Sequence, residues 1–291
     1  MNKVRIVTDS TADLDRGTYH RYGITMVPLK VFFGQEVFLD GVDITPDQFF
    51  KRQVDGKEMS TTSQPTPAEF VNAYKPLVEE GSSIISLHIS GQLSGTVQSA
   101  QLAKTMLNYP ELEVIDSTVA SVVLGLMVIN AARAAGEGRS KEEIIELIRF
   151  MKDNHQIYFA VDTLEYLQRG GRIGKAQAFL GTLLNVKPIL TIKDGYVFPH
   201  EKVRGKARAF DRIVRIMQDK FGGQEVQCFL VHGEDWDGAA QLKEKAQKGL
   251  NCVEFFEGRL GPVVGTHVGP GVVGMVCLPV SVSDTLKKQG N

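Results

Sequence analysis

Val4-Arg5-Ile6-Val7-Thr8-Asp9-Ser10-Thr11 is a short β-rich run that ends in helix-capping side chains. Its apolar, β-branched residues predict a buried strand, and Asp, Ser and Thr are residues that cap the start of a helix. The same order of strand, capping residue and helix recurs over 83–107 and 112–135. This alternation predicts an α/β fold with a parallel sheet.

The second half of the chain also alternates strand-like and helix-like stretches. Strands are expected at 157–161, 189–192, 226–231, 253–256 and 272–278, and helices at 175–184, 208–220 and 239–248. We therefore predict two α/β domains, residues 1–155 and 156–291. A cleft between two such domains is a common ligand site, so the interface is the expected place for a ligand.

Composition excludes several classes of protein. The 291 residues carry 33 Lys and Arg against 34 Asp and Glu, which argues against a broad basic face for nucleic acid. No apolar run approaches the roughly 20 residues of a membrane span, and the N-terminus has no secretory pattern. The three cysteines are an odd number without a Cys-x-x-Cys pair, which favours free thiols in a reducing cytoplasm.

Three glycine motifs invite an enzyme assignment, and each fails on inspection. Arg169 and Ala176 stand where a P-loop needs Gly and a hydroxyl ligand for Mg²⁺. The Gly-x-Gly-x-x-Gly spacing at 269–274 leads into a β-rich run rather than a helix. Ser94 is one place late for a nucleophile elbow. The six histidines show no metal-ligand spacing, so no metal and no cofactor are expected.

Small hydroxyl residues and glycines concentrate in three segments that we predict as loops: 60–65, 90–96 and 265–271. Ser94 is predicted to begin a helix, and the backbone N–H groups of a helix start suit a carboxylate or a phosphate. Each segment alone is explained by turn and cap chemistry. Together they favour an anion site, with a phosphate ester or sugar phosphate as one alternative ligand.

These segments carry a family resemblance. The sequence resembles the DegV family, the bacterial fatty-acid-binding proteins that serve as the lipid-carrying subunit of fatty-acid kinase. The matching stretches include Val7-Thr8-Asp9-Ser10-Thr11-Ala12-Asp13-Leu14, Thr62-Ser63-Gln64-Pro65, 93–100, 163–174, 184–190, 202–205 and Thr266-His267-Val268-Gly269-Pro270-Gly271. The resemblance runs in family order from residue 4 to about 275. Val97 and Gly91 depart mildly from the family pattern.

The resemblance implies a Rossmann-like N-terminal domain and a long-chain fatty acid buried between two domains. Thr62, Ser94, the backbone N–H of Gly95 and His267 would then bind its carboxylate. A separate kinase subunit would phosphorylate that carboxylate to an acyl phosphate that feeds phospholipid synthesis. This chain would present the lipid without catalysis of its own and without binding ATP.

Two further sets of residues are candidates. Helical or strand spacing turns several apolar side chains inward, and these are candidates for the acyl tunnel as well as for plain core: Val123, Leu124, Met127, Phe159 and Leu183. Lys202 and Arg204 head a local cationic segment with Lys206 and Arg208. It is either a solvated helix start or a surface that docks an acidic face of the kinase.

An alternative from a different class remains open. Ser94 and His267 are also the side chains of a serine esterase or thioesterase. An acid that orients His267, together with an oxyanion hole facing Ser94, distinguishes this enzyme from a carrier.

Overall fold

The computed structural model describes residues 3–56, 59–181 and 186–280. The chain divides into two compact units. The first comprises the chain up to Arg149 together with a short returning segment, Gly261–Thr266. The second comprises Phe150–Leu260 and the chain from His267 onward. Each unit combines helices with a sheet, which confirms the predicted α/β class.

The first unit holds seven strands within the described part of the chain. They are β1 (Val4–Asp9), β2 (Thr25–Val27), β3 (Lys30–Phe33), β4 (Glu36–Leu39), β5 (Thr61–Ser63), β6 (Ser83–His88) and β7 (Leu112–Asp116). A parallel sheet runs in the order β2-β1-β6-β7, and a small antiparallel sheet in the order β4-β3-β5. Because β1, β6 and β7 are parallel and in register, Asp9, His88 and Asp116 end at one edge.

Helices follow these strands. They are α1 (Arg16–Tyr22), α2 (Pro46–Asp55), α3 (Pro67–Glu79), α4 (Thr96–Leu107), α5 (Val122–Gly136) and α6 (Lys141–Asn154), with a 3₁₀ turn at Ser10–Ala12. One core cluster is formed where α3 and α4 cover the parallel sheet, around Phe70, Tyr74 and Ile84, all fully buried.

The second unit is built on a six-stranded mixed sheet in the order β10-β9-β8-β13-β11-β12. Its strands are β8 (Gln156–Ala160), β9 (Val186–Lys193), β10 (Tyr196–Arg204), β11 (Glu225–His232), β12 (Asn251–Arg259) and β13 (Val273–Pro279). Its helices are α7 (Glu165–Arg169), α8 (Lys206–Phe221) and α9 (Trp236–Gly249), with a 3₁₀ helix at Gly174–Phe179. A final helix, α10 (Pro262–Val268), starts in the segment assigned to the first unit.

Two predicted helix starts are wrong, and local hydrogen bonds explain one of them. The helix predicted after the strand at 112–115 is α5. It starts at Val122 rather than Thr118, because Thr118 and Ser121 have positive φ angles of 60° and 58°. The turn is fixed by Asp116, whose carboxylate accepts the backbone N–H of Thr118 at 2.7 Å. The helix predicted to begin at Ser94 is α4, which starts at Thr96, so Ser94 precedes this helix.

Candidate functional site

Ser94 and Gly95 lie in the turn that joins β6 to α4. The Ser94 hydroxyl is 2.9 Å from the Thr96 hydroxyl, and Gly95 is the N-cap of α4. Glycine has no side chain with which to cap a helix, so the first-turn N–H groups of this twelve-residue helix receive no side-chain cap from Gly95. The result is a helix start with two adjacent hydroxyls, which is suited to an anion.

Gln64 brings a second segment against this turn. A Cβ placed on Gly95 would lie 2.7 Å from Gln64 Cδ, so only glycine allows this approach. Thr62 is two residues earlier, on β5, where it pairs with Val31 of β3. Residues 61–63 are therefore a short edge strand, and the prediction of a loop there is wrong. Gln64, Ser94 and Gly95 therefore lie close together in the first unit, with Thr62 two residues before Gln64 on β5.

Sequence reasoning did not single out Gln64. Gln64 follows the hydroxyl residues 60–63, which drew attention to the segment instead. The signal that could have found it is Gly95, a residue without a side chain, next to which a large polar side chain fits. Gln64 supplies both an N–H donor and a carbonyl acceptor at the start of α4. It is a candidate head-group residue in addition to those predicted.

α10 carries His267 in its last turn, so the third predicted loop is largely helical. Thr266, the preceding residue, accepts or donates a 2.8 Å hydrogen bond with the Ser60 hydroxyl, and Ser60 adjoins β5. Gly265 packs so closely that an added Cβ would lie 2.8 Å from Phe49. These contacts fix the residue before His267 against the first unit.

Two buried carboxyl groups anchor the start of α10. Asp13 accepts the backbone N–H of Gly261 at 3.0 Å and a 2.5 Å bond from the Ser121 hydroxyl. Asp40, 1% exposed, accepts the backbone N–H of Val263. Burial raises the pKa of Asp13 well above its usual range and raises the pKa of Asp40 to about 7. Both carboxyl groups are thus held where their neutral form is favoured.

His267 itself is assigned to the second unit, where its ring packs against backbone. A Cβ on Gly170 would overlap His267 Nδ1, so glycine is required at this position. Burial, reinforced by the positive charge of Arg172, lowers the pKa of His267 to about 4. The imidazole is therefore neutral at pH 7 and offers one N–H donor without a full charge.

Arg172 is a second residue that the sequence reasoning missed. It lies in the glycine motif that was tested as a P-loop, and its Nη1 donates to the Gly170 carbonyl at 2.6 Å. The charged neighbour that shifts the pKa of His267 is thus a cation. A hydrolytic triad needs an anion at this place, so the geometry around His267 does not favour the esterase alternative.

Ser86, His88 and Asp9 have the distances of a Ser-His-Asp catalytic triad, but they are not exposed to solvent as a catalytic triad is. Ser86 Oγ lies 2.6 Å from His88 Nε2, and His88 Nδ1 lies 3.0 Å from Asp9 Oδ2. All three side chains are fully buried, and the Ser86 hydroxyl also contacts the Tyr74 hydroxyl at 2.7 Å. No substrate reaches a nucleophile in this position, so the network serves to satisfy buried polar groups beneath the sheet edge.

The predicted tunnel residues are buried in both units. Val123, Leu124 and Met127 lie on α5 with at most 1% exposure, and Phe159 lies on β8. Leu183 lies outside the described residues. Burial is shared by core and tunnel residues, so these assignments stay predictions.

One member of the cationic segment, Lys206, is paired within the second unit. Lys206 contacts Asp235 at 2.5 Å and donates to the Gly271 carbonyl at 2.8 Å. Lys202 lies over the ring of Phe179, 4.8 Å from its centroid, and remains exposed. Arg204 is exposed at the end of β10, an edge strand. Lys202, Arg204 and Arg208 are thus the members that face solvent at or beside the start of α8.

No helix of the described residues is long and apolar enough to cross a membrane. The described residues also contain no group of three or more His, Cys, Asp or Glu that could hold a metal ion.

Comparison with known proteins places these features in context. The family model described as "Uncharacterised protein, DegV family" matches residues 3–280. A DegV domain-containing protein of Deinococcus radiodurans is 38% identical over 281 residues, covering 96% of this chain and 99% of the relative. Protein DegV of Bacillus subtilis is 34% identical over 274 residues, covering 94% and 98%.

Solved structures give the same picture. A DegV family protein of Thermus thermophilus, described by its fatty-acid binding, has a TM-score of 0.91 at 38% identity and covers 96% of this chain and 100% of its own. DegV of Bacillus subtilis, described as a fatty-acid-binding protein, has a TM-score of 0.86 at 33% identity, with coverage of 96% and 100%. A stearic-acid-binding protein of Eubacterium ventriosum has a TM-score of 0.87 at 29% identity, with coverage of 96% and 98%.

Proposed function

This chain belongs to the DegV family, and we propose that it is a carrier that binds a long-chain fatty acid and presents the carboxylate to a separate kinase. The observation that carries the proposal is the start of α4, where Ser94, Gly95 and Gln64 offer hydroxyl, backbone and amide donors together. Relatives of more than 30% identity that are described as fatty-acid-binding proteins support it.

The free energies involved indicate that the apolar tail supplies affinity and that the head-group contacts orient the carboxylate. Each methylene moved from water into an apolar site contributes roughly 0.8 kcal/mol, so a long acyl chain supplies most of the affinity. A carboxylate without partners would take up a proton or stay in water. Thr62, Ser94, the Gly95 N–H and neutral His267 are the proposed donors, with Gln64 beside them. These groups orient the carboxylate without burying a Lys or Arg charge.

The most direct test is solvent extraction of lipid from the purified protein. We expect a fatty acid of C14 to C18 to copurify with the chain, because the apolar tail dissociates slowly into water. Ser94→Ala is expected to retain some lipid, since the tail supplies most of the affinity. Ligand-free protein with ester turnover that Ser94→Ala abolishes would instead establish the esterase.

The kinase partner is the finer part of the proposal. In this scheme the chain itself performs no chemistry, and the partner transfers a phosphoryl group to the carboxylate for phospholipid synthesis in the cytoplasm. Lys202 and Arg204 support a docking surface, because exposed charges at the rim of an interface steer association.

Arg204→Glu tests that surface. The reversal is expected to lower the rate of ATP-dependent acyl-phosphate formation by roughly tenfold at low salt while fatty-acid affinity stays unchanged. Arg215→Glu, at an exposed site on α8, is the matched control for the charge change. Equal rates for parent and Arg204→Glu would exclude this segment from docking, with lipid binding unaffected either way.

A further inference from the structure

The three cysteines of the chain meet at one place in the second unit. Cys228 lies on β11, Cys252 on β12 and Cys277 on β13. Cys228 Sγ is 2.8 Å from Cys252 Sγ and 3.4 Å from Cys277 Sγ. The shorter separation is less than an ångström longer than a disulfide bond of about 2.05 Å. All three are free thiols in this structure.

The strand register produces this meeting. Cys228 and Cys277 are directly paired across antiparallel β11 and β13, so their side chains share one face of the sheet. Along β12 the pairing skips from Cys252 to Glu254, opposite Val226 and Gln227. That irregularity lets both Cys252 and Phe255 pack against the core beneath α8 and α9, although only two residues lie between them. Cys252 pairs with Val226, two residues before Cys228 on β11, so Cys252 and Cys228 lie on the same face of the sheet.

Access distinguishes the three thiols. Cys228 and Cys277 are fully buried, whereas Cys252 is half-buried near the start of β12. A small oxidant in solution thus reaches Cys252 first, and Cys228 is the thiol next to it. The order of reaction is set by this difference in exposure.

We propose that Cys252 and Cys228 are a thiol modification site that forms a reversible disulfide on exposure to hydrogen peroxide. In the first step the Cys252 sulfur attacks the peroxide, the O–O bond breaks, and a sulfenic acid and one water form. In the second step the Cys228 sulfur attacks Cys252 Sγ, the S–O bond breaks, and the hydroxyl leaves as a second water. Two thiols are oxidised by two electrons, and hydrogen peroxide is reduced to two waters.

The environment makes this site slow rather than a rapid sensor. The Cys228 thiol and burial raise the pKa of Cys252 above the usual range of a thiol. The contact with Cys252 lowers the pKa of Cys228, but the Cys277 thiol and burial outweigh it and raise that pKa as well. Because the thiolate is the nucleophile, the pair stays reduced at neutral pH unless oxidant persists. The rate of oxidation should then rise with pH.

Intact-protein mass spectrometry tests the proposal. The reduced protein is treated with hydrogen peroxide at pH 7 and pH 9, unfolded, alkylated and mapped by peptide. We expect three alkylated thiols before treatment and one afterwards, a mapped link between Cys228 and Cys252, and a rate roughly tenfold or more higher at pH 9. A reducing thiol is expected to restore all three.

Two variants assign the pair. Cys277→Ser is expected to form the same link, because Cys277 is not needed for it. Cys252→Ser is expected to lose thiols roughly tenfold more slowly, since the remaining pair is fully buried. Retention of all three thiols by the parent, over-oxidation of Cys252 without a link, or a link between Cys228 and Cys277 at an unchanged rate in Cys252→Ser would overturn the proposal. The parent's map decides the matter even if a variant fails to fold.

Discussion

A sixteen-carbon saturated fatty acid should bind this chain roughly 200-fold more tightly than its twelve-carbon homologue. The four additional methylenes contribute about 3 kcal/mol at roughly 0.8 kcal/mol each, provided that the apolar site is long enough to cover them. A titration across even-numbered chains from ten to eighteen carbons measures this slope. The length at which the slope ends gives the length of the apolar site.

Ser94→Ala separates the head group from the tail in the same titration. In the proposed site the Ser94 hydroxyl donates to the carboxylate, so its loss is expected to weaken every chain length by roughly tenfold, with the slope unchanged. Affinity that does not change with chain length would contradict an acyl tunnel and would favour a small anion at the start of α4. A variant that alters the slope would contradict the assignment of Ser94 to the head group.

Asp40→Asn should remove a large pH dependence of stability. The folded-state pKa of about 7 exceeds the ordinary 3.8, chiefly because of burial and despite bonds from Ser10 and Val263. Between these values the native state holds a proton that the unfolded chain has lost, so the free energy of unfolding falls as pH rises from about 4 to 7 and then levels off. The interval corresponds to roughly 4 kcal/mol.

Asn resembles the protonated carboxyl in shape and keeps an acceptor for the Val263 N–H. We therefore expect the variant to match the parent near pH 4 and to exceed its stability at pH 8 by several kcal/mol, measured by urea unfolding at each pH. Asp13, whose pKa burial also raises, leaves a residual slope in the variant. Asp219→Asn, at an exposed carboxylate on α8, is the control. Parallel pH profiles for parent and Asp40→Asn would contradict a protonated Asp40.

Short-range sequence signals, namely apolar strand patterns and helix-capping residues, were enough to predict the α/β fold class. The run that became β1 ends in Asp9, whose carboxylate accepts the Thr11 N–H at 3.0 Å as a capping residue should. Ser140 and Glu143 form a capping box at the start of α6, with bonds of 2.8 and 3.2 Å. Two unpredicted helices, α2 and α3, have the same signal, because each starts with a Thr capping box and a Pro.

What could not be predicted depends on contacts between distant parts of the chain. Residues 61–63 have no apolar alternation and become a strand only through pairing with β3. The neutral state of His267 depends on burial and on Arg172. The meeting of Cys228 with Cys252 depends on the pairing of β11 with β12, and no spacing in the sequence reveals it.

The anchoring of Gly261 and Val263 by Asp13 and Asp40 has a consequence for biosynthesis. The first unit emerges from the ribosome early, yet its last segment is translated only after the chain from Phe150 to Leu260. At an elongation rate of about 5–20 residues per second this is a delay on the order of ten seconds. During that time both carboxyl groups lack the backbone amides that they accept in the finished protein. The contacts of Asp13 and Asp40 with this segment can therefore form only after the intervening chain from Phe150 to Leu260 has been made.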